Sequence, residues 1–185
     1  MPSSPVPMRD RWLAAGLVAA AILYQAVWLG LPGSFLSLML VVSYGLWIGT
    51  EWQVSPRLQL AFVLGLAVMV AHVVEEYATG FATAAPALFG REPWSVGRWL
   101  TFNAVFGLVF WAAAVSLRRG RSLPAFVALF FAVAAGVGNG VVHLLIVLQR
   151  GAYFPGAWTA PLCLAVGVWL LWLLYAPRPL AERYG

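Results

Sequence analysis

Residues 57–80 read RLQLAFVLGLAVMVAHVVEEYATG, apolar almost throughout yet carrying His72, Glu75 and Glu76 near the end. Ser55-Pro56 stand just before the run, a capping residue followed by a proline at the first turn, which is how a helix starts. A helix needs roughly 20 apolar residues to cross the hydrocarbon layer of a bilayer, and this run supplies them. An ionisable side chain at that depth costs about 2.5 to 3.5 kcal/mol on insertion scales, so each of the three requires a reason.

The same pattern recurs along the chain. Apolar runs over roughly residues 12–31, 35–51, 97–117, 123–149 and 157–176 join 57–80 to make a set of about six. Leu31-Pro32-Gly33-Ser34 reads as a tight turn, so the first two runs form a hairpin. Residues 118–124, with Pro124 at a helix entrance, and Tyr153-Phe154-Pro155-Gly156 separate the later runs. Composition agrees, at 63% hydrophobic and 9% charged residues over 185 positions and a mean hydropathy of +0.87. Such a chain is excluded from the soluble, disordered and disulfide-scaffold classes, and with Cys163 as its one cysteine it forms no intrachain disulfide. The expected fold is all-α, an integral membrane helical bundle of about six transmembrane helices over residues 12–176, flanked by tails at 1–11 and 177–185.

Arginine supplies all 11 basic residues, in short clusters between the apolar runs, which reads as topology and not as a nucleic-acid surface. Arg9 and Arg11 precede the first run, but it continues for about 20 residues without a small-residue cleavage pattern and is therefore read as a span. With six spans, Arg9, Arg11, Arg57, Arg118, Arg119, Arg121, Arg178 and Arg183 share one side, and Arg91, Arg98 and Arg150 the other. That imbalance puts both termini in the cytoplasm of a multi-pass protein, expected in the plasma membrane of a bacterium. Trp12, Trp28, Trp52, Trp94, Trp99, Trp111, Trp158 and Trp172 stand near the ends of runs, as an interfacial belt requires; Trp47 and Trp169 are candidates to line an apolar cavity.

At ~100° per residue Glu75 and Glu76 fall on either side of His72, and the three cover an arc of about 100° on one helix face. His143, the second of the protein's two histidines, lies four residues after Asn139 on the run 123–149, so these two also share a face. In the six-span topology both runs cross in the same direction, and the two clusters lie at similar depth in the outer half of the membrane. Asn103, Trp94, Arg98 and Tyr153 are expected nearby. Glu51 ends the second run on the opposite side, as an interfacial carboxylate or as a sign that the run is shorter than drawn.

The order His72-Val73-Val74-Glu75-Glu76, then Asn139-x-x-x-His143, then Tyr153-x-Pro155-Gly156 resembles the HXXEE family of small multi-span membrane proteins, named for its first motif. Trp47-x-x-x-Glu51 is similar to that family's upstream glutamate motif. The resemblance covers about residues 40 to 160 and implies a membrane protein with a His/Glu constellation; it supplies no reaction.

Adjacent carboxylates in a low-dielectric region do not both stay charged without a positive partner. Three compensations fit. A divalent metal, zinc or iron, would be held by His72, Glu75, Glu76 and His143, with Asn139 beside it. Protonated imidazole would make the same residues a metal-free acid/base site. An outer arginine, Arg98 or Arg150, would make the group structural. The bland alternative for each histidine alone is a hydrogen-bonded packing residue, and for Asn139, between Gly138 and Gly140, helix-to-helix glue. Small residues from Ala132 to Gly140 either let helices approach or leave room for a substrate.

The expected activity is that of a membrane-embedded enzyme acting on a lipid-soluble substrate (isoprenoid, sterol or acyl-lipid) by metal-assisted or acid/base chemistry such as isomerisation or cyclisation. His72, Glu75, Glu76, Asn139, His143 and Tyr153 form its candidate catalytic set, Tyr153 as a phenolic donor. A small proton-coupled transporter and a non-catalytic scaffold with a structural polar cluster are the alternatives. No phosphate loop, dinucleotide fingerprint, nucleophile elbow or two-histidine zinc helix is present in the sequence.

Overall fold

The computed structural model describes residues 6–119 and 121–176; the expected tail 177–185, with Arg178, Glu182 and Arg183, and residues 1–5 lie outside the described residues. Every described element is helical. α1 (Met8–Leu29) takes in the last residues of the expected N-terminal tail and ends at Gly30, where α2 (Leu31–Gly49) turns back against it as the hairpin reading requires. α3 (Pro56–Thr79) starts where the Ser55 hydroxyl accepts from Leu58 N at 3.1 Å and stops at Gly80 in the left-handed region. A short α4 (Phe81–Ala87) follows at once, where the sequence reading has only a loop. α5 (Val96–Ser116) is capped by Ser95, whose hydroxyl accepts from Arg98 N. α6 (Ser122–Arg150) runs unbroken to Gly151, and α7 (Ala160–Tyr175) closes the bundle.

Four helical stretches, Met8–Leu29, Pro56–Thr79, Val96–Arg119 and Ser122–Arg150, are long and apolar enough to cross a membrane; Gly33–Gly49 and Ala160–Tyr175 are shorter apolar helices. Of the expected set of about six spans, four are thus met by length and apolarity among the described residues.

α6 is the centre. Of its apolar stretch 67% is buried, against 22–28% in the other three long helices, which present most of their surface outward. Its middle, Phe131–Gly138, widens into π-helical turns rich in alanine and glycine, and α7 lies directly along it. The approach is backbone on backbone: a Cβ on Gly136 would stand 2.5 Å from Gly167 Cα, and one on Gly167 would stand 2.5 Å from Val137 N. Of the two roles open to the 132–140 run, close approach is the one observed at Gly136.

Aromatic side chains fill the rest of the core. Trp47 is fully buried, its ring 5.2 Å from Phe126 and 6.2 Å from Tyr44, while Phe62 and Phe110 meet Phe131 at 5.2 and 5.0 Å. Trp12, Trp111, Trp158 and Trp172 are exposed, consistent with an interfacial belt. Trp99 departs from that reading: it is buried, near Tyr77 and Phe81, because its helix end is covered by α4.

Candidate functional site

The site lies where the C-terminal end of α3 meets the last turns of α6. His72 and Glu76 stand one turn apart on α3, Asn139 and His143 one turn apart on α6, and both spacings are those of a helix face. Glu76 Oε1 is 3.4 Å from His72 Nε2 and 3.3 Å from His143 Nε2. The two imidazoles meet edge to face, with centroids 4.9 Å apart and planes at 85°. Asn139 Nδ2 is 2.7 Å from His72 Nε2. One ligand atom from each of His72, Glu76 and His143 falls within 4.8 Å of the other two, which is the compactness a single ion requires. The three side chains are almost wholly buried, at 1%, 5% and 2% exposure, so their partners must come from within the protein. His143 Nδ1 has no hydrogen-bond partner among the described residues.

Glu75 faces elsewhere. Neighbours on a helix point about 100° apart, and where Glu76 turns to the imidazoles Glu75 turns to the segment 151–159. Its Oε1 accepts from Tyr153 OH at 2.7 Å and from Trp158 N at 3.0 Å; its Oε2 accepts from Thr159 N at 2.8 Å and from the Thr159 hydroxyl at 2.6 Å. Two of these donors are the free amides just ahead of α7, where a helix start favours an anion. Burial first, and then the bond to the Glu75 carboxylate, push the Tyr153 phenol above its ordinary value, so it stays a donor. Thr159 Oγ1 also lies 2.7 Å from His72 Nδ1, which links the two faces of α3.

The same segment roofs the histidines. Gly156, at φ +89°, sits so near that a Cβ there would stand 2.5 Å from His143 Cε1 and 2.8 Å from His72 Cε1. Phe81 from α4 stacks on His143 at 5.6 Å and Phe154 packs against it at 5.7 Å. Cys163 is buried one turn into α7.

Four of the six candidate catalytic residues, buried His72, Glu76 and His143 and half-buried Asn139, come together in one group, and Glu75 and Tyr153 are joined to it through Thr159. The remaining neighbours go elsewhere. Asn103 donates back to Trp99 O, Arg98 donates to Val27 O at 2.9 Å, and Glu51 is exposed in the connection after α2. Among the described residues the carboxylate contacts with basic side chains are those of Glu76 with the two imidazoles; no arginine pairs with Glu75 or Glu76. The sequence reading did not single out Thr159 or Phe81, and it quoted Phe154 and Gly156 only as parts of a loop turn and a family motif, with no place in the site. A signal for Thr159 exists in Thr159-Ala160-Pro161, a capping residue ahead of proline in the first turn.

The family model described as "Protein of unknown function with HXXEE motif" matches residues 62–170, a span that holds every residue of this site. No curated protein and no solved structure matches the chain.

Proposed function

As the chain belongs to the HXXEE-motif family, we propose that it is a multi-pass membrane protein, of about six spans with both termini cytoplasmic, whose His72, Glu76 and His143 hold a divalent metal inside the outer half of the bundle. The observation that carries this is the convergence of two imidazoles and one carboxylate, from two helices, within 4.8 Å and shielded from solvent. Two histidines and a carboxylate are the donor set of catalytic zinc and of non-haem iron, and both leave positions open for a reactant. The lone Nδ1 of His143, or its Nε2, is available as a donor atom, and Asn139 steadies His72 from the side.

A buried metal among apolar helices suits a membrane-embedded enzyme whose lipid-soluble substrate reaches the site sideways from the bilayer. The ion would polarise an oxygen of the substrate or activate a water. A metal-free reading has one observation in its favour: a proton can sit between Glu76 Oε1 and either imidazole, as acid/base isomerisation or cyclisation would use. A proton-coupled carrier is less well supported, since among the described residues the buried polar side chains away from the site are Gln25, Ser43 and Ser122, with no further buried carboxylate or imidazole.

Metal analysis of detergent-purified protein tests the proposal. About one zinc or iron per chain is expected, lost in Glu76→Gln and His143→Ala while the helicity stays unchanged. Wild-type protein that takes up neither ion, even after loading, overturns the metal reading.

A further inference from the structure

Thr159 has one hydroxyl proton and two close partners. Glu75 Oε2 at 2.6 Å is a carboxylate oxygen and only accepts, so the hydroxyl proton points to it. The other contact, His72 Nδ1 at 2.7 Å, must then run the opposite way, from Nδ1–H to the hydroxyl lone pair. A neutral imidazole with its proton on Nδ1 has its lone pair on Nε2, and Nε2 is the atom that faces Asn139 Nδ2 and Glu76. The amide N–H of Asn139 can donate to that lone pair at 2.7 Å, whereas Glu76 Oε1, 3.4 Å from the same nitrogen, lies beyond a normal hydrogen bond to it.

We infer that Glu75 and Thr159 are positioning residues: the bonds from the His72 ring to the Thr159 hydroxyl, and from that hydroxyl to the Glu75 carboxylate, hold His72 as the Nδ1–H tautomer with its Nε2 lone pair aimed into the His143/Glu76 group. The Glu75 carboxylate in turn is fixed by Tyr153 and by the amides of Trp158 and Thr159, so the orientation of His72 depends on the roof segment being in place. This gives the first glutamate of the motif a task different from that of the second. Glu76 belongs to the ion, whereas Glu75 acts through a hydroxyl on a histidine that does. Outer partners of metal-bound histidines work in this way, setting the tautomer and the ring angle. The consequence for ion affinity rests on the metal reading above; the tautomer itself does not.

The test uses full-length protein in detergent, labelled with ¹⁵N at the histidine ring nitrogens, and zinc alone as the probe. In metal-free wild type the His72 resonances should show a protonated Nδ1 and a bare Nε2. Thr159→Val should shift His72 toward the other tautomer and weaken zinc binding by about 10- to 100-fold, and Thr159→Ser, which keeps the hydroxyl, should restore both. If Thr159→Val does not fold, Thr159→Ala is read in its place. A protonated Nε2 in the wild type overturns the inference, and so does an unchanged His72 spectrum with unchanged zinc affinity in the hydroxyl-less variant. If the tautomer shifts as expected but wild type binds no zinc, the positioning role stands and the metal reading fails.

Discussion

The two halves of α6 are held in place by different physics. From Ser122 to Gly138 the helix is locked by shape: small residues bring the backbone of α7 so near that even a methyl group at Gly136 or Gly167 has no room. From Asn139 to Arg150 the close approach continues at Gly140, where a Cβ would stand 2.8 Å from Ala160 O, but polar satisfaction is added, with half-buried Asn139 and buried His143 set against groups that α3 and the 151–159 segment supply. Shape tolerates no added volume, but it is indifferent to charge. The polar half has the opposite sensitivity, since a substitution of equal size that changes one donor or acceptor leaves a buried partner unmatched.

The largest effect should come from the seam. Gly167→Leu drives a side chain into main-chain atoms of α6 that cannot swing aside, so the cost goes beyond the ~1–3 kcal/mol of ordinary overpacking. No folded, monodisperse protein should be recovered on size-exclusion chromatography in detergent. Gly45→Ala on α2, where an added Cβ meets nothing within 4 Å, should behave as wild type. Equal yields from Gly45→Ala and Gly167→Leu would erase the distinction between the two halves of α6.

Next comes Glu76→Gln. It preserves volume and helix, so the metal-free bundle should lose no more than about 1–3 kcal/mol of thermal stability, the cost of leaving one buried polar group mismatched. Ion binding should drop by more than the ~10–100-fold typical of an outer partner, because a direct donor is removed. Isothermal titration with zinc and thermal melts measure the two quantities on one sample. A variant that melts far below wild type yet keeps its zinc would mean that Glu76 holds the helices together and not an ion.

Gly156→Ala should be intermediate. The backbone there is left-handed and the new methyl would press on both imidazole Cε1 atoms, so the roof must lift by a few tenths of an ångström or more. Zinc affinity is expected to fall about 10-fold, the low end for a disturbed outer shell, with overall helicity intact. Retention of full affinity would show that the segment lies over the site without shaping it.

The contrast between the halves also explains what could be read in the sequence. His72 with Glu76 and Asn139 with His143 are each spaced four apart within an apolar run, so their shared faces follow from helix geometry alone, and a common depth follows from counting along two runs that cross in the same direction. That Glu75 and Glu76 divide between two neighbours was not legible: 100° of arc is wide enough to reach both α6 and the 151–159 segment, and which edge faces which depends on how α3 is rotated in the bundle. Thr159 and Gly156 enter the site by the path of an irregular segment, which tertiary packing sets and periodicity does not record. The fold was legible as apolar helices but not all their bounds, because α2 starts and stops a few residues ahead of its expected run and Ala160 begins α7 inside a longer one.

The smallest expected effect is at Tyr153, where the roof meets the outside. Tyr153→Phe removes one of the four bonds to Glu75 at a half-exposed position, which places its cost near the low end of the ~0.5–1.5 kcal/mol of a typical hydrogen bond. The dependence on pH has a definite sign. The folded phenol is raised above its ordinary value of about 10, so what this bond contributes is present in full below that range and is lost as pH climbs through the raised value and the phenolate comes to face the Glu75 carboxylate. Melting curves of wild type and Tyr153→Phe should therefore differ slightly and constantly from pH 7 to about 9 and converge or cross above about 10. A gap that is constant through the alkaline range would mean that the phenol does not donate to Glu75, and that the roof is held by the Trp158 and Thr159 amides and the Thr159 hydroxyl alone.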